Sequence, residues 1–415
     1  MDILRIATAG SVDDGKSTLI GRLLYETNSI TQDKLEAIER ASKRRGVDYT
    51  DLSLLTDGLI AEREQGITID VAHIYFSTNT RKYIIADTPG HFEYTRNMIT
   101  GASNAQVAII LIDARNGIVE QTHRHFYITQ LLRIPYVVVC INKMDLVNYS
   151  EEQYNQVREQ FSELFARANY REQQLQFIPA SSLYGDNIAS RSSQMPWYEG
   201  PSILEFLEAI EWHSQETQFP ARFPVQYVVR PKSEQWHDFR GFAGKLTSGK
   251  LQAGDEVVAL PSGQSSVIDN IYRFEEAIES VEAGESVVIT LKDEIDLSRG
   301  DMLVLKDQVP EARKDLSARI CWLDHSPLRA GKNYLLQHGS NRVKAKVTNL
   351  FSSINVTDYQ TIDGIEDLGL NEIGYISLKT ARPVNADDYA ANKLNGTFIL
   401  IDEGTNSTVG VGFIG

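Results

Sequence analysis

Short apolar runs alternate with amphipathic stretches over residues 1–212. This alternation is typical of a parallel sheet whose strands are joined by crossover helices on both faces. The predicted buried strands are LRIATA (4–9), KYIIAD (82–87), VAIILIDA (107–114), YVVVCINK (136–143) and LQFIPAS (175–181). The predicted helices are Lys16–Tyr25, Asp33–Lys43, Thr95–Gly101, Gln121–Arg133 and Glu151–Ala168.

A different pattern follows the polar stretch HSQETQFPARFP, which is predicted to be a linker. From Val225 onward, runs rich in Val, Ile, Thr and Tyr recur between clusters of Gly, Pro, Asp and Ser. No helix longer than about three turns is predicted there, which favours β-barrels. A second break at VPEARK divides this region. The predicted domains are an α/β domain with a mostly parallel sheet over 1–213, a β-barrel over 221–309 and a second β-barrel over 313–415.

A phosphate-binding loop is predicted where the first strand meets the first helix. The residues Gly10, Ser11, Val12, Asp13, Asp14, Gly15, Lys16 and Ser17 fit the pattern GxxxxGK[ST] in that context, and Thr18 follows them. Backbone amides and the helix N-terminus are expected to bind phosphate, with Lys16 between the β- and γ-phosphates and the Ser17 hydroxyl on Mg²⁺. The alternative is a chance glycine-rich turn. A similar run, Gly244–Leu251, ends in leucine and lies between strands, so it is interpreted as a barrel turn.

Further motifs occur in the order that a GTPase requires. Asp87, Thr88, Pro89, Gly90 and His91 follow a predicted strand. Asp87 is expected to reach Mg²⁺, the Gly90 amide to face the γ-phosphate, and His91 to lie beside the attacking water.

Two more motifs are predicted to recognise the base. Asn142, Lys143, Met144 and Asp145 end the YVVVCI strand, and Ala180, Ser181, Ser182 and Leu183 end the next one. The Asp145 carboxylate can accept both N1–H and the 2-amino group of guanine, a donor pair that adenine lacks. Four motifs in order favour GTP binding over a Rossmann-like domain without a nucleotide.

A switch segment is predicted over Asp57–Asp70. Thr68 is its candidate Mg²⁺ ligand, ordered only while the γ-phosphate is present. The charged run Glu62-Arg63-Glu64 in the same segment is more simply a solvated helix face.

Composition narrows the function classes. The chain has 415 residues, of which 42% are hydrophobic, and its 41 basic against 56 acidic side chains give a net charge of −15. This charge disfavours a large nucleic-acid footprint, so no nucleic-acid partner is expected. Cys140 and Cys321 lie in apolar runs, which suggests neither a disulfide framework nor a metal site. Without a signal-like or long apolar segment, a cytoplasmic protein with no membrane partner is expected.

The motifs, together with GITID and DTPGH, resemble the translation-factor class of GTPases. The stretches GSVDDGKSTLIGRLL, DGLIAEREQGITIDVAHIYFST, IIADTPGHFEYTRNMITGAS, INKMDLVNYSEE, MPWYEGPSILE, RFPVQYVVRP, DFRGFAGKL and DEIDLSRGD are similar to the large, GTP-hydrolysing subunit of bacterial sulfate adenylyltransferase. They cover nearly the whole chain. The pair Asp13-Asp14 differs from elongation factors that carry aminoacyl-tRNA, which usually have Asp-His there.

The resemblance implies a partner. In this family a small catalytic subunit joins ATP and sulfate to give adenylylsulfate and pyrophosphate, the first step of sulfate assimilation, and the large subunit hydrolyses GTP to drive that step. Asp13 matches a loop residue that can help bind a monovalent cation. Val12 and Ile67 match an apolar pair that screens the catalytic histidine, although ordinary packing beside the loop explains them equally well.

The chain departs from the family pattern in two places. The loop Lys232–Asp238, with Trp236 and His237, is longer than usual and is either a solvated insertion or a partner contact. The chain ends at GVGFIG, so the fused adenylylsulfate kinase domain of some relatives is not expected.

Two rival functions fit the same domain order. A carrier of aminoacyl-tRNA is disfavoured by the negative charge, since the only basic run, Lys43-Arg44-Arg45, is more simply a solvated helix end. A GTPase that has lost hydrolysis is disfavoured by the presence of Lys16, Ser17, Thr68, Asp87 and His91.

Overall fold

The computed structural model describes residues 2–44, 46, 49–55, 71–88, 95–168, 170, 172–211, 215–231 and 239–415. The chain forms two compact units by its internal contacts, residues 1–212 with 356–360, and residues 213–355 with 361–415. Each unit has its own apolar core.

The first unit is built on a six-stranded sheet with the order β2-β3-β1-β4-β5-β6. Its strands are β1 (Ile3–Ala9), β2 (Ala72–Ser77), β3 (Lys82–Asp87), β4 (Val107–Asp113), β5 (Tyr136–Asn142) and β6 (Gln174–Pro179). All neighbouring strands are parallel except β2 and β3. The five predicted strands are confirmed, and β4 is buried at every position, as a central parallel strand requires.

The helices of this unit follow the predicted order. They are α1 (Lys16–Glu26), α2 (Gln32–Arg44), α3 (Thr95–Ala102), α4 (Glu120–Leu131), α5 (Glu151–Ala166) and α6 (Ile203–Ala209). A side-chain cap begins α5, where the Ser150 hydroxyl accepts a hydrogen bond from the amide of Gln153 at 3.3 Å. Lys43 and Arg44 end α2 as exposed side chains, and the third member of that basic run, Arg45, lies outside the described residues.

Among the described strands and α-helices of this unit, β2 and α6 were not predicted. The edge strand β2 is only partly buried and, among the described strands, pairs with β3 alone, so its hydrophobic signal is weak. The short helix α6 begins with a capping box in which Ser202 and Glu205 exchange hydrogen bonds.

The second unit consists of two closed six-stranded barrels. The first contains β7 (Phe223–Val229), β8 (Gly241–Lys245), β9 (Lys250–Gln252), β10 (Glu256–Leu260), β11 (Gln264–Arg273), β12 (Glu276–Ile278), β13 (Ser280–Glu282), β14 (Ser286–Leu291) and β15 (Met302–Leu305). Pairing of β10 with β11 closes it, while β12 pairs with β11 and with no other strand in the described ranges. The predicted fold class, a parallel-sheet GTPase-like domain with two barrels, is confirmed.

The second barrel is closed by pairing of β18 with β19. Its strands and short additional strands are β16 (Ala312–Trp322), β17 (Leu328–Arg329), β18 (Asn333–His338), β19 (Asn341–Ile354), β20 (Thr361–Asp363), β21 (Asp367–Leu368), β22 (Ile373–Asn385), β23 (Thr397–Ile401) and β24 (Thr408–Ile414). Trp322 is fully buried in its core and donates its indole N–H to the carbonyl of Ser326 at 2.8 Å.

The run Gly244–Leu251 is confirmed as part of a barrel. Gly244 lies in β8, where an added Cβ would come within 2.4 Å of the carbonyl oxygen of Pro224. Gly249 has φ 76° in the turn before β9, a conformation that glycine adopts without steric cost.

A buried ion pair joins the two barrels within the second unit. Arg222 is 2% exposed, and its guanidinium donates to both carboxylate oxygens of Asp387 at 3.0 and 2.9 Å. Asn392 and Asn395 also donate to that carboxylate, at 3.2 and 2.9 Å. Burial raises the pKa of Asp387, but these partners outweigh it and hold the pKa below its usual range. The charges are therefore buried with their hydrogen bonds satisfied.

We expect Asp387→Ala to destabilise the protein strongly, by roughly 3–5 kcal/mol, because it leaves the Arg222 guanidinium buried without its counter-ion. Asp388 is the matched control, since its carboxylate pairs with Arg313 at 2.8 Å on the surface. Asp388→Ala should cost at most about 1 kcal/mol. Urea denaturation followed by tryptophan fluorescence measures both, and equal losses would contradict the assignment.

Candidate functional site

Five parallel strands end at one edge of the sheet. Because β1, β3, β4, β5 and β6 are parallel, the residues that follow them meet at that edge. The predicted phosphate loop, Asp87, the Asn142–Asp145 motif and the Ala180–Leu183 motif are these residues. The structure therefore brings together the predicted site residues that it describes.

The phosphate loop has an unusual backbone. Gly15 has φ 96°, and an added Cβ there would lie 2.5 Å from the Asn142 amide nitrogen. Asp13 also has a positive φ, 69°. The Asp14 carboxylate accepts a hydrogen bond from the amide of Ser11 at 2.6 Å, which holds the loop closed on itself.

Burial shapes the electrostatics of this loop. Asp14 is buried, and burial raises the pKa of its carboxyl despite the hydrogen bond from Ser11. Lys16, the first residue of α1, is also buried, and its ammonium donates to the carbonyls of Gly10 and Ser11 at 2.9 Å each. Burial lowers the pKa of Lys16, while Asp87 opposes that shift. A buried ammonium held by loop carbonyls fits the binding of an anionic group.

Asp87 is fixed at the end of β3 by its neighbour strand. It is 1% exposed and accepts a hydrogen bond from the Thr8 hydroxyl at 3.0 Å. The hydroxyl of the next residue, Thr88, donates to the backbone carbonyl of Thr8. These contacts orient the carboxylate at the strand edge beside the loop.

Asn142 connects three motifs. Its side-chain nitrogen donates to the backbone carbonyl of Asp14 at 2.7 Å, and its side-chain oxygen accepts from the amide and hydroxyl of Ser182 at 3.0 and 2.9 Å. It is 1% exposed. One buried side chain thus holds the phosphate loop and the last motif in register.

The two candidate base-binding motifs also contact each other directly. The Ser181 hydroxyl donates to Asp145 at 2.6 Å. Arg22 on α1 donates to the backbone carbonyls of Ser182 and Leu183, which links that loop to the helix after the phosphate loop. Met144 is buried, and its amide donates to the carbonyl of Ala180 at 3.1 Å.

The side chains of Ser17 and Thr18 are half-buried on α1.

Asp113, at the end of β4, also lies at this edge of the sheet, but it was not identified as a site residue from the sequence. It contacts Lys143 at 3.0 Å and Arg115 at 2.6 Å. Burial raises the pKa of Asp113, but the hydrogen bonds from Arg115 and Lys143 prevail and lower the pKa to about 2. Asp113 therefore positions Lys143 of the NKMD motif. The acidic residue at the end of the apolar run VAIILID was the signal that could have revealed it.

His125 on α4 was also missed. It is 3% exposed, and its Nδ1 atom has no hydrogen-bond partner in the described part of the chain. Burial, with the positive charges of Lys16 and Arg124, lowers its pKa to about 3. It is therefore a neutral imidazole near the phosphate loop at physiological pH.

Several predicted residues lie outside the described residues. They are Glu62, Arg63, Glu64, Ile67, Thr68, Pro89, Gly90, His91, Trp236 and His237. Val12, the described member of the predicted apolar pair, keeps 38% of its surface exposed.

The described residues fit a nucleotide with a divalent cation. The Ser11 hydroxyl is buried with no hydrogen-bond partner among the described residues, the Gly15 backbone forms a cradle that a Cβ would fill, and Lys16 supplies positive charge. Ser17 and Asp87 offer a hydroxyl and a carboxylate, oxygen ligands that Mg²⁺ prefers. Among the described residues, no group of three or more His, Cys, Asp or Glu side chains could hold a metal by itself.

In the described ranges, no helix is long and apolar enough to cross a membrane.

The chain is similar to known GTP-binding proteins and sulfate adenylyltransferase subunits. The model "Elongation factor Tu GTP binding domain" matches residues 1–216, and "GTP-eEF1A C-terminal domain-like" matches residues 315–415. "Sulfate adenylyltransferase subunit 1" of Alteromonas mediterranea is 47% identical over 100% of this chain and 87% of that protein. "Bifunctional enzyme CysN/CysC" of Mycobacterium tuberculosis H37Rv is 46% identical over 99% of this chain and 67% of that protein. Sup35 complexed with GMPPNP aligns with 100% of this chain and 93% of that one, at 25% identity and a TM-score of 0.45.

We expect His125 to make the protein less stable as the pH falls. Because its pKa is about 3 in the folded chain and about 6.5 in an unfolded one, the unfolded state gains a proton first. Stability present above about pH 6.5 is then lost by about 1.4 kcal/mol per pH unit on acidification toward pH 3. His125→Asn should flatten the profile measured by urea denaturation from pH 7 to 5. Replacing the exposed His325 in the same way is the control, and an unchanged slope for His125→Asn would contradict the expectation.

Proposed function

The chain belongs to the family of sulfate adenylyltransferase subunit 1, and on this basis we propose that it is the GTP-hydrolysing subunit of a sulfate adenylyltransferase. In this function a partner small subunit converts ATP and sulfate to adenylylsulfate and pyrophosphate. Hydrolysis of GTP on this chain drives that unfavourable step.

The observation that carries the proposal is the pair of hydrogen-bonded links at Asn142. Its amide holds the carbonyl of Asp14 at 2.7 Å while its oxygen holds Ser182 at about 3 Å. A phosphate loop and a candidate base-binding loop joined by one buried side chain support a site for a whole nucleotide rather than for phosphate alone.

We assign guanine recognition to Asp145. Its carboxylate is oriented by the Ser181 hydroxyl at 2.6 Å and can accept both the N1–H and the 2-amino group of guanine. Lys143, fixed by Asp113 at 3.0 Å, lies in the same motif. Ser182 and Leu183 complete the loop on the base side.

The phosphates are assigned to the loop Gly10–Thr18. Its amides and the N-terminus of α1 would bind the β-phosphate, and Lys16 would exchange its two carbonyl partners for phosphate oxygens. Ser17, Thr68 and Asp87 would hold Mg²⁺, which supplies charge neutralisation between the β- and γ-phosphates when bound. Asp13 is the residue that a monovalent cation would contact.

Hydrolysis is assigned to the segment that contains His91, with Thr88, Pro89 and Gly90 before it. His91 would orient the attacking water, and the Gly90 amide would contact the γ-phosphate. Val12 and Ile67 would screen His91 until the switch is in place. Release of Thr68 after hydrolysis would signal the change to the partner.

We expect Asp145→Asn to shift the nucleotide preference from guanosine toward xanthosine nucleotides. An amide can donate to the 2-carbonyl of xanthine, where a carboxylate cannot. Isothermal titration with GTP, ATP and XTP measures the preference. Equal affinity of the unmodified chain for GTP and ATP would refute guanine recognition by this site.

We expect GTP to raise the steady-state level of adenylylsulfate in the presence of the small subunit and fixed pyrophosphate. A nonhydrolysable GTP analogue should not raise it, because binding alone cannot move the equilibrium of another reaction.

His91→Ala should keep GTP binding but slow hydrolysis by about 100-fold or more, since orientation of water acts mainly in the transition state. With Thr68→Ala, most of the GTP-dependent increase in the adenylylsulfate level should be absent.

The control is simultaneous measurement of GTP consumption and adenylylsulfate in the same reaction. If GTP is consumed while the level of adenylylsulfate stays constant, the two reactions are not coupled and the proposed function is wrong.

A further inference from the structure

The first barrel carries a hairpin that extends beyond its closed wall. Among the described strands, β12 pairs only with β11, through Ile271 with Ile278, Tyr272 with Ala277 and Arg273 with Glu276. The two residues Phe274 and Glu275 form the turn between these strands. We call residues 273–279 the hairpin tip; its strand β12 is not part of the closed ring of six strands.

Both the backbone conformation and the exposure of this turn are unfavourable for a phenylalanine. Phe274 has φ 56°, at the first central position of a two-residue hairpin turn, where glycine or asparagine is favoured. Its side chain is 95% exposed, the highest value among the large apolar residues in the described part of the chain. Phe274 therefore has a sterically unfavourable backbone and an apolar ring in water, and no burial among the described residues offsets either cost.

The charges around Phe274 indicate what would cover it. Glu275, Glu276 and Glu279 are exposed and form no ion pair with the described residues. The neighbouring Arg273 is paired with Glu285 and therefore does not neutralise them. The tip therefore combines an exposed phenyl ring with carboxylates at neighbouring positions that have no ion-pair partner among the described residues, which is complementary to an apolar pocket with a basic rim.

We propose that the hairpin tip 273–279 docks on the small subunit of sulfate adenylyltransferase, with Phe274 inserted into an apolar pocket bordered by Lys or Arg side chains. This inference rests on the proposed function, which supplies the partner. Burial of one aromatic anchor with a charged rim is the usual arrangement of a binding hot spot. The carboxylates would accelerate association, and the ring would slow dissociation.

The test compares full-length variants for their affinity to the purified small subunit by surface plasmon resonance. We expect Phe274→Gly to weaken binding by at least about tenfold, as for a truncated hot-spot side chain. Phe274→Tyr should retain binding, because it keeps the ring. Asn406→Gly is the matched control, since Asn406 has φ 57° in an exposed turn of the second barrel and should leave binding unchanged.

The free chain provides a second readout. Phe274→Gly should not lower the melting temperature, because glycine relieves the positive φ, and should retain GTP hydrolysis in the absence of the partner. The double variant Glu275→Lys, Glu276→Lys should slow association and reduce its dependence on salt. Unchanged affinity of Phe274→Gly, while the unmodified chain binds the small subunit, would overturn this inference alone. Failure of the unmodified chain to bind would instead overturn the proposed function.

Discussion

The side chain of Asn142 is the contact on which the candidate nucleotide site depends. It is buried at the end of a central strand, donates to the backbone of the phosphate loop, and accepts two hydrogen bonds from Ser182. An amide satisfies both roles because it carries a donor and an acceptor on one rigid group. Neither aspartate nor leucine at this position could hold both loops. Together with Arg22, Asn142 therefore ties the phosphate loop and α1 to the loop that contains Ser182.

Around that contact, several charged side chains are buried close together. Lys16, Asp14, Asp87 and Asp113 are all buried at one edge of the sheet. Burial lowers the pKa of Lys16 and raises that of Asp14, so the folded chain carries an electrostatic cost in this region. Asp113 escapes this cost because Arg115 and Lys143 pair with it. Bound phosphate and a divalent cation would supply counter-charges of both signs.

The barrel region uses charge differently. The largely buried pair Arg222 and Asp387 has its hydrogen bonds satisfied and links the two barrels. At the β11–β12 tip, by contrast, the carboxylates around Phe274 have no such partners in the described chain. A satisfied network stabilises the fold, whereas an unsatisfied exposed one is available for association.

Much of the fold and of the candidate site follows from the sequence alone. Apolar runs separated by helix-length segments require a parallel sheet, and parallel strands bring their carboxyl ends to one edge. Lys16, Asp87, Asn142 and Asp145 could therefore be grouped from their positions after strands. Gly15 could be identified because the loop pattern requires a backbone that other residues adopt poorly. The barrel strands and the turn at Gly249 were predictable from local composition for the same reason.

Only the tertiary structure decided the remaining contacts. Strand β2 is half-exposed at the sheet edge, so its own pattern of hydrophobicity does not distinguish it. The periodicity of α4 does not reveal that His125 is buried near Lys16, with no partner for its Nδ1 atom among the described residues. Arg222 and Asp387 are 165 residues apart, and Phe274 differs from other surface apolar residues only through its φ and exposure. Local periodicity records which face of an element is apolar, whereas pairing between distant elements depends on how those faces pack, which is a property of the whole chain.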